Sequence, residues 1–148
     1  MGPFQPLGQP SAAKALRQVV FTDILAAATI FPKGYVKWTI ATMFGWSGRA
    51  FATHATDPLP STALYIVVTP DDFRMFAKSG WRQPPYEIGR WVRKTYRASV
   101  PTRGAFLKLD LDVERLGRLQ VFAGLRRFRR EVEPVFQLVV ESASGPVV

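Results

Sequence analysis

Residues 107–113 read Leu-Lys-Leu-Asp-Leu-Asp-Val, and this alternation of apolar and charged side chains is the clearest pattern in the chain. Successive side chains of a β-strand point to opposite faces, so Leu109 and its apolar neighbours lie inward while the charges meet solvent. A turn is expected next, and residues 118–122 are predicted to return as the second strand of a hairpin. The pattern therefore indicates an antiparallel sheet with one buried face.

A second hairpin is predicted earlier in the chain. Residues 64–69 read Leu-Tyr-Ile-Val-Val-Thr, a run dense in β-branched and aromatic side chains. Apolar residues resume at Phe73 and continue to Ala77. Proline and aspartate favour turns, so Pro70-Asp71-Asp72 is expected to connect the two strands.

The patterns of the other central segments are weaker. Residues 91–99 fit a further strand, and residues 49–55 fit another. Residues 35–44 fit either a strand or a helix. Residues 57–61 and 78–85 contain prolines and are predicted to be loops.

A helix is predicted for residues 12–30. Ser11 is a suitable N-cap, and Pro-Lys-Gly at residues 32–34 supplies a stop. Apolar side chains recur at helical spacing between these two signals: Leu16, Val20, Ile24, Ala27 and Phe31. The wide apolar face predicts that this helix is buried against the rest of the domain or docks onto a larger assembly.

A terminal amphipathic helix is predicted after Gly124, which is expected to end the last strand. The apolar side chains of this region share one helical face: Leu125, Phe128, Val132, Val135, Phe136 and Val139. An interior proline removes a backbone hydrogen bond, so Pro134 leaves two alternatives. Either the helix kinks there, or it begins near Glu133 with Pro134 at its first position.

The length of 148 residues suits one domain. Residues 1–10 contain three prolines and two glycines and are expected to be a flexible lead-in. Residues 11–141 are expected to form a single α+β domain. Residues 142–148 are expected to be a frayed tail.

The composition excludes several classes of function. Cysteine is absent, which rules out disulfides, thiolate nucleophiles and zinc sites built on sulfur. His54 is the only histidine and no phosphate-binding glycine loop occurs, so we expect no catalysis, no cofactor and no metal site. The longest apolar run, residues 19–31, contains Asp23 and is shorter than the roughly 20 residues of a membrane-spanning helix. A cytoplasmic location without a transmembrane segment is expected, with peripheral contact to the membrane as one option.

Positive charge is concentrated in one part of the chain. The formal net charge is +9, and residues 82–130 contain 13 Lys or Arg against four Asp or Glu. Such a block attracts the phosphates or carboxylates of a lipid surface, an acidic protein or a nucleic acid. A solvated basic surface without a specific partner is an equal alternative.

Two clusters within this block are candidate ligand-binding residues. The first combines cations with aromatic rings, which suits phosphate and a stacking surface: Arg90, Trp91, Arg93, Lys94, Tyr96 and Arg97. The second lies at the start of the terminal helix: Arg126, Arg127, Arg129 and Arg130. Cations at a helix N-terminus oppose the helix dipole, so this cluster is expected to serve a partner unless nearby glutamates compensate it.

The order of these elements resembles that of bacterial PH-like and GRAM-like domains. Residues 64–76 resemble the hairpin of that family in which an apolar strand, a threonine, a turn and a second strand follow one another. Gly-Arg-Trp-Val at residues 89–92 is similar to its tryptophan-bearing strand, and residues 107–122 to its last hairpin. The resemblance covers about residues 62–140. It implies an antiparallel, partly open PH-like β-barrel or a strongly bent sheet with a C-terminal helix, to which an N-terminal helix is added.

The resemblance also implies a binding or adaptor domain that does no chemistry. Its basic surface is then expected to meet an anionic partner, either a phospholipid surface or an acidic protein. Two alternatives remain open, a structural subunit of a larger protein assembly and a nucleic-acid-binding protein. The sequence leaves the oligomeric state undecided.

Overall fold

The structure is a computed structural model that describes residues 6–32, 64–77, 84–104, 106–123 and 129–148. Nine strands and two helices lie within these residues. The strands are β1 (Leu7–Gly8), β2 (Ala26–Pro32), β3 (Leu64–Val68), β4 (Asp72–Ala77), β5 (Tyr86–Val92), β6 (Arg97–Ala98), β7 (Thr102–Arg103), β8 (Leu107–Val113) and β9 (Gly117–Ala123). The helices are α1 (Pro10–Leu16) and α2 (Arg129–Glu141).

The strands form one mostly antiparallel sheet in the order β5-β4-β3-β2-β9-β8-β6. The short strand β1 pairs in parallel with β2, and β7 pairs with β8. Strand β2 joins the two halves of the sheet, because residues 26–30 pair with β3 and residues 31–32 pair with β9. The predicted antiparallel sheet with a helix at each end of the chain is confirmed, and the described strands leave the sheet unclosed.

Both predicted hairpins are present. Strands β8 and β9 pair along their whole length, from Leu107 opposite Ala123 to Val113 opposite Gly117. Along β8, buried apolar residues alternate with half-buried charged ones, as the sequence pattern predicts. Strands β3 and β4 pair from Leu64 opposite Ala77 to Val68 opposite Phe73. The turn therefore falls at the predicted Pro70 and Asp71.

The helix predicted for residues 12–30 is wrong over most of its length. Helix α1 ends at residue 16, and β2 begins at residue 26. The even-numbered residues of β2 face the main core, whereas Ala27 packs with α1 in a second, smaller core. Because both faces of β2 pack against other elements, the strand is apolar except for Thr29 and the sequence does not show its period of two.

Helix α1 also begins before the predicted N-cap. Gln9 is the N-cap, and Pro10 opens the first turn, where its missing N–H has no intrahelical partner to lose. The Gln9 side chain accepts a hydrogen bond from the Thr29 backbone N–H at 2.8 Å. Ser11 is therefore not the cap, and the start of α1 is fixed to β2 instead.

Helix α2 packs its apolar face on the main core, where four of its side chains are fully buried: Val132, Val135, Phe136 and Val139. The helix starts at Arg129 and continues through Pro134. The alternative that it begins near Glu133 is therefore wrong. Burial of these four side chains offsets the backbone hydrogen bond that the proline removes.

The strand predicted for residues 91–99 is divided in two. Strand β5 ends at Val92, a turn follows with Lys94 at a φ of 68°, and β6 contains only Arg97 and Ala98. Other predictions lie outside the described residues: those for residues 35–44, 49–55 and 57–61, most of the loop at 78–85, and the roles of Gly124, Leu125 and Phe128.

Both terminal segments are more ordered than predicted. In the lead-in, residues 7–8 pair with β2, and a Cβ on Gly8 would collide with the carbonyl oxygen of Ala27. The tail does not fray, because residues 142–147 form hydrogen bonds along residues 94–99. The order of both segments comes from hydrogen-bond partners that are distant in the sequence.

Candidate functional site

The aromatic residues of the first predicted cluster belong to the core. Only 4% of Trp91 and 2% of Tyr96 is exposed. Both rings pack against Phe73, with centroids 5.3 Å apart in each pair. The prediction that these two aromatic side chains line an exposed ligand-binding face is therefore wrong.

Trp91 joins β5 to the turn of the last hairpin. Its indole Nε1–H donates a hydrogen bond to the carbonyl oxygen of Glu114 at 3.0 Å. Gly89 leaves room for the ring, because a Cβ there would collide with it. A buried tryptophan needs an acceptor for its N–H, and here that acceptor lies across the sheet.

Tyr96 and Lys94 cap the C-terminus of α2. The Tyr96 hydroxyl donates to the carbonyl oxygen of Val139 at 2.7 Å, and Lys94 Nζ donates to that of Glu141 at 2.8 Å. The backbone N–H groups of residues 142 and 143 donate to the carbonyls of residues 138 and 140. The last four carbonyls of a helix have no partner within the helix, so these bonds satisfy all four.

Burial raises the pKa of Tyr96 above its ordinary value. Its hydroxyl therefore keeps its proton at neutral pH and remains a donor to the helix. A cation at a helix C-terminus is also favoured by the helix dipole, which adds to the contribution of Lys94.

The arginines of the first cluster are exposed, but each has a partner inside the molecule. Arg90 Nε donates to Glu87 Oε1 at 2.9 Å. Arg93 donates to the carbonyl oxygen of Pro70 at 3.4 Å, and Arg97 to that of Pro146 at 3.3 Å. These cations hold a turn and the tail in place, which is a structural reason for their presence beside any role in binding.

Little of the second cluster lies within the described residues. Arg126 and Arg127 fall outside them, Arg129 is the first residue of α2, and Arg130 is exposed in its first turn. Glu131 lies in the same turn and is also exposed. The expectation that this cluster serves a partner thus stays a prediction.

A buried polar group that the sequence did not indicate lies at the turn between β3 and β4. Asp72 Oδ1 accepts hydrogen bonds from the Thr69 hydroxyl at 2.6 Å and from Arg74 Nε at 2.8 Å. The side chains of Arg74 and Asp72 are only 7% and 8% exposed. Pairing offsets the cost of burying these charges. The one signal in the sequence is an arginine flanked by apolar residues in the run from residue 73 to residue 77.

Two basic connections leave the sheet at the same end. Leu64 of β3 pairs with Ile30 of β2 on one side and with Ala77 of β4 on the other. Ala77 in turn pairs with Tyr86 of β5. The connections from β2 to β3 and from β4 to β5 therefore start and finish at one end of the sheet. Their sequences, residues 33–63 and 78–83, contain five Lys or Arg against one Asp, together with three of the four tryptophans.

Chemistry-bearing groups are sparse in the described part of the chain. No three of its His, Asp or Glu side chains come together in a group that could hold a metal ion. Asp110 and Asp112 lie on the half-buried face of β8, and the register places Arg118 and Arg97 opposite Asp112 on its two sides. Within the same residues, neither helix is long and apolar enough to cross a membrane.

Comparison with protein-family models, with curated proteins and with solved structures finds no match to this chain.

Proposed function

We propose that this chain is a PH-like binding domain without catalytic activity, and that the end of its sheet carrying the two basic connections meets an anionic phospholipid surface. The observation that carries the proposal is the convergence of those connections, residues 33–63 and 78–83, at one end of the sheet. The described strand ends that these two connections join therefore lie at one end of the sheet.

The residue types in these connections favour a lipid surface over an acidic protein. Tryptophan is enriched at the interface between membrane and water, and Lys or Arg close to an anionic leaflet contributes about 1 kcal/mol each. The connections combine both types, with Trp38, Trp46 and Trp81 among five cations.

The order of the strands also supports the PH-like assignment. Seven of them follow one another in an antiparallel path, and α2 packs against the main core. An open antiparallel sheet with a C-terminal helix agrees with the outline that the resemblance implies.

The alternative of a structural subunit rests on an apolar docking face within residues 12–30. The apolar face of α1 is buried against the sheet, with Leu16 packed among Val67 and Phe76, whereas Phe21 is 90% exposed. The first arginine cluster supports the lipid proposal less than its charge suggests, since its cations are bonded within the fold.

Co-sedimentation with vesicles tests the proposal. The vesicles are phosphatidylcholine with or without phosphatidylserine, at 0.1 M and 1 M salt. We expect binding only with phosphatidylserine, and its loss at 1 M salt, where the screening length falls from about 10 Å to about 3 Å. Replacing both Lys78 and Arg82 by glutamine should weaken vesicle binding at 0.1 M salt roughly tenfold or more.

Two matched variants locate the surface. Replacing Arg93 and Arg97 with glutamine removes the same charge from the first cluster and should leave vesicle binding nearly unchanged. Replacing Arg126 and Arg127 with glutamine removes the same charge from the second cluster, and a larger loss there than for Lys78 and Arg82 would contradict the proposed end. Tighter binding of a short DNA duplex than of vesicles would contradict the lipid assignment in favour of nucleic acid.

A further inference from the structure

Two arginines lie directly opposite each other on one face of the β4–β5 pair. Arg74 of β4 pairs with Arg90 of β5 in the register. The residues next to them, Phe73 and Trp91, belong to the main core, so both arginines project from the other face of the sheet. Like charges at directly opposite positions destabilise an antiparallel pair, and a negative group shared by the two arginines would remove that cost.

Each of the two guanidinium groups is held by a carboxylate through its Nε atom. Arg74 Nε donates to Asp72 Oδ1 at 2.8 Å, and Arg90 Nε donates to Glu87 Oε1 at 2.9 Å. A guanidinium has five N–H donors, and four of them belong to its two Nη atoms. Among the residues that the structure describes, the Nη atoms of these two arginines have no hydrogen-bond acceptor. The carboxylates thus orient the guanidinium groups and leave the Nη donors for another acceptor.

The two side chains differ in exposure. The side chain of Arg74 is 7% exposed, whereas that of Arg90 is 50% exposed. Buried donors are nearly always paired, because an unpaired donor has lost its contacts with water and gained nothing in return. Arg90 lies on the last strand of the described sheet, next to solvent. A ligand that approaches along β5 therefore meets Arg90 first and Arg74 behind it.

We propose that Arg74 and Arg90 form a binding site for a phosphate monoester, carried either by a soluble compound or by a lipid headgroup. A phosphate monoester presents three acceptor oxygens and can bond to both guanidinium groups at once, which the two oxygens of a carboxylate do less well. Its negative charge also separates the two arginines. The site is distinct from the end of the sheet proposed to meet lipid, because Arg74 lies roughly 10 Å from Ala77 along β4.

The charge of this site is already balanced within the chain. Asp72 and Glu87 match the formal charges of Arg74 and Arg90. Binding of phosphate therefore rests on the hydrogen bonds of the Nη donors rather than on an excess of charge. We expect it to fall less steeply with rising salt than binding to an anionic vesicle does.

Titration with inorganic phosphate at constant ionic strength tests the site. The Nε–H signals of Arg74 and Arg90 in NMR spectra should shift together, with one dissociation constant. Arg90→Gln should weaken phosphate binding on the order of tenfold or more. Arg93→Gln removes the same charge from an exposed arginine outside the site and should change it by less than about twofold, since that charge is screened. Equal losses in the two variants would show a general effect of charge and overturn the proposal.

The role of Arg74 is measured on the unchanged chain, because replacing Arg74 would leave the buried Asp72 without its partner. A ligand that binds only the folded chain raises its Tm, so phosphate should raise the Tm more than chloride at equal ionic strength. Arg90→Gln should lose this difference. If phosphate shifts the signal of Arg90 but not that of Arg74, the buried arginine takes no part and the proposal fails.

A second anion tests the chemical class of the ligand. Acetate should bind several-fold more weakly than phosphate at the same ionic strength, because it has fewer acceptor oxygens. Acetate binding as tightly as phosphate would contradict the assignment to a phosphate monoester.

Two further probes distinguish the sources of the phosphate group. Glycerol 3-phosphate is the soluble probe, and phosphatidic acid in phosphatidylcholine vesicles is the lipid probe. A tenfold loss in Arg90→Gln for the soluble probe alone supports the site with a soluble ligand, and a loss that includes the vesicles supports it with a lipid headgroup. No loss for either probe would overturn the proposal. The variant that lacks Lys78 and Arg82 should bind inorganic phosphate as the unchanged chain does, so this site stands or fails independently of the proposed lipid surface.

Discussion

The two hairpins β3–β4 and β8–β9 have the same connectivity but different surroundings. Every residue of β4 is buried, whereas burial alternates along β8. The outer face of the first hairpin lies beneath α1 and the residues that follow it, since Val67 and Phe76 share a core with Leu16. The outer face of the second hairpin carries half-buried charges.

The difference shows how each hairpin accommodates charge. In the β3–β4 hairpin, whose outer face is covered, Asp72 and Arg74 neutralise each other within hydrogen-bonding distance. In the β8–β9 hairpin, here called the open hairpin, Lys108, Asp110 and Asp112 keep contact with water and need no such pair. The same residue types therefore contribute differently to stability in the two places.

The largest expected effect comes from breaking the buried pair. Asp72→Ala leaves Arg74 as a buried charge without this partner and should lower the free energy of unfolding by about 3–5 kcal/mol in urea titrations. Asp71→Ala, at the exposed neighbouring position of the same turn, should change it by less than about 1 kcal/mol. Equal effects of the two substitutions would mean that the outer face of the first hairpin is not covered.

The second-largest effect is expected on the buried face of the open hairpin. Leu109 is fully buried, and Leu109→Ala should cost about 2–5 kcal/mol, because it removes core contacts and leaves a cavity. Lys108→Ala, one residue away on the other face, should stay within about 0.5 kcal/mol. Thermal unfolding of both variants checks the pair, and similar small losses would contradict one-sided burial.

The smallest expected effect lies in the turn of the open hairpin. Gly117 has a φ of 73°, and nothing lies within 4 Å of a Cβ built there, so Gly117→Ala should cost only the backbone strain, about 1–2 kcal/mol. Gly104 has no positive φ, and the nearest atom to its Cβ would be 3.7 Å away. Gly104→Ala should therefore be neutral or slightly stabilising in the same unfolding experiment. A stabilising Gly117→Ala would show that the turn does not need its left-handed residue.

Sequence patterns were sufficient for β8 and for α2, each of which has one face toward solvent. The alternation along β8 and the helical repeat of α2 both describe elements with one buried face, and both elements are where the patterns placed them. Strand β2 is buried on both faces and was mistaken for part of a helix. Its alanines carry no alternation from which a strand could be inferred.

The residues of the candidate site also differ in whether the sequence alone predicts their exposure. The exposure of Arg90, Arg93 and Arg97 follows from their charge, whereas the aromatic residues between them could be either surface or core. Packing against Phe73 placed Trp91 and Tyr96 in the core. Asp72 and Arg74 show the opposite case: both are buried although charged residues are rarely buried without a partner, and no local pattern indicates their burial.

The sequence by itself determined the two hairpins, the terminal helix and the excess of positive charge, because those features depend on side-chain periodicity and composition within short segments. Only the tertiary structure decided the strand at β2, the burial of the Asp72–Arg74 pair and the docking of the tail along residues 94–99. Each of these depends on contacts between segments far apart in the chain, and the partner that supplies the hydrogen bond or the cover cannot be read from the segment that receives it.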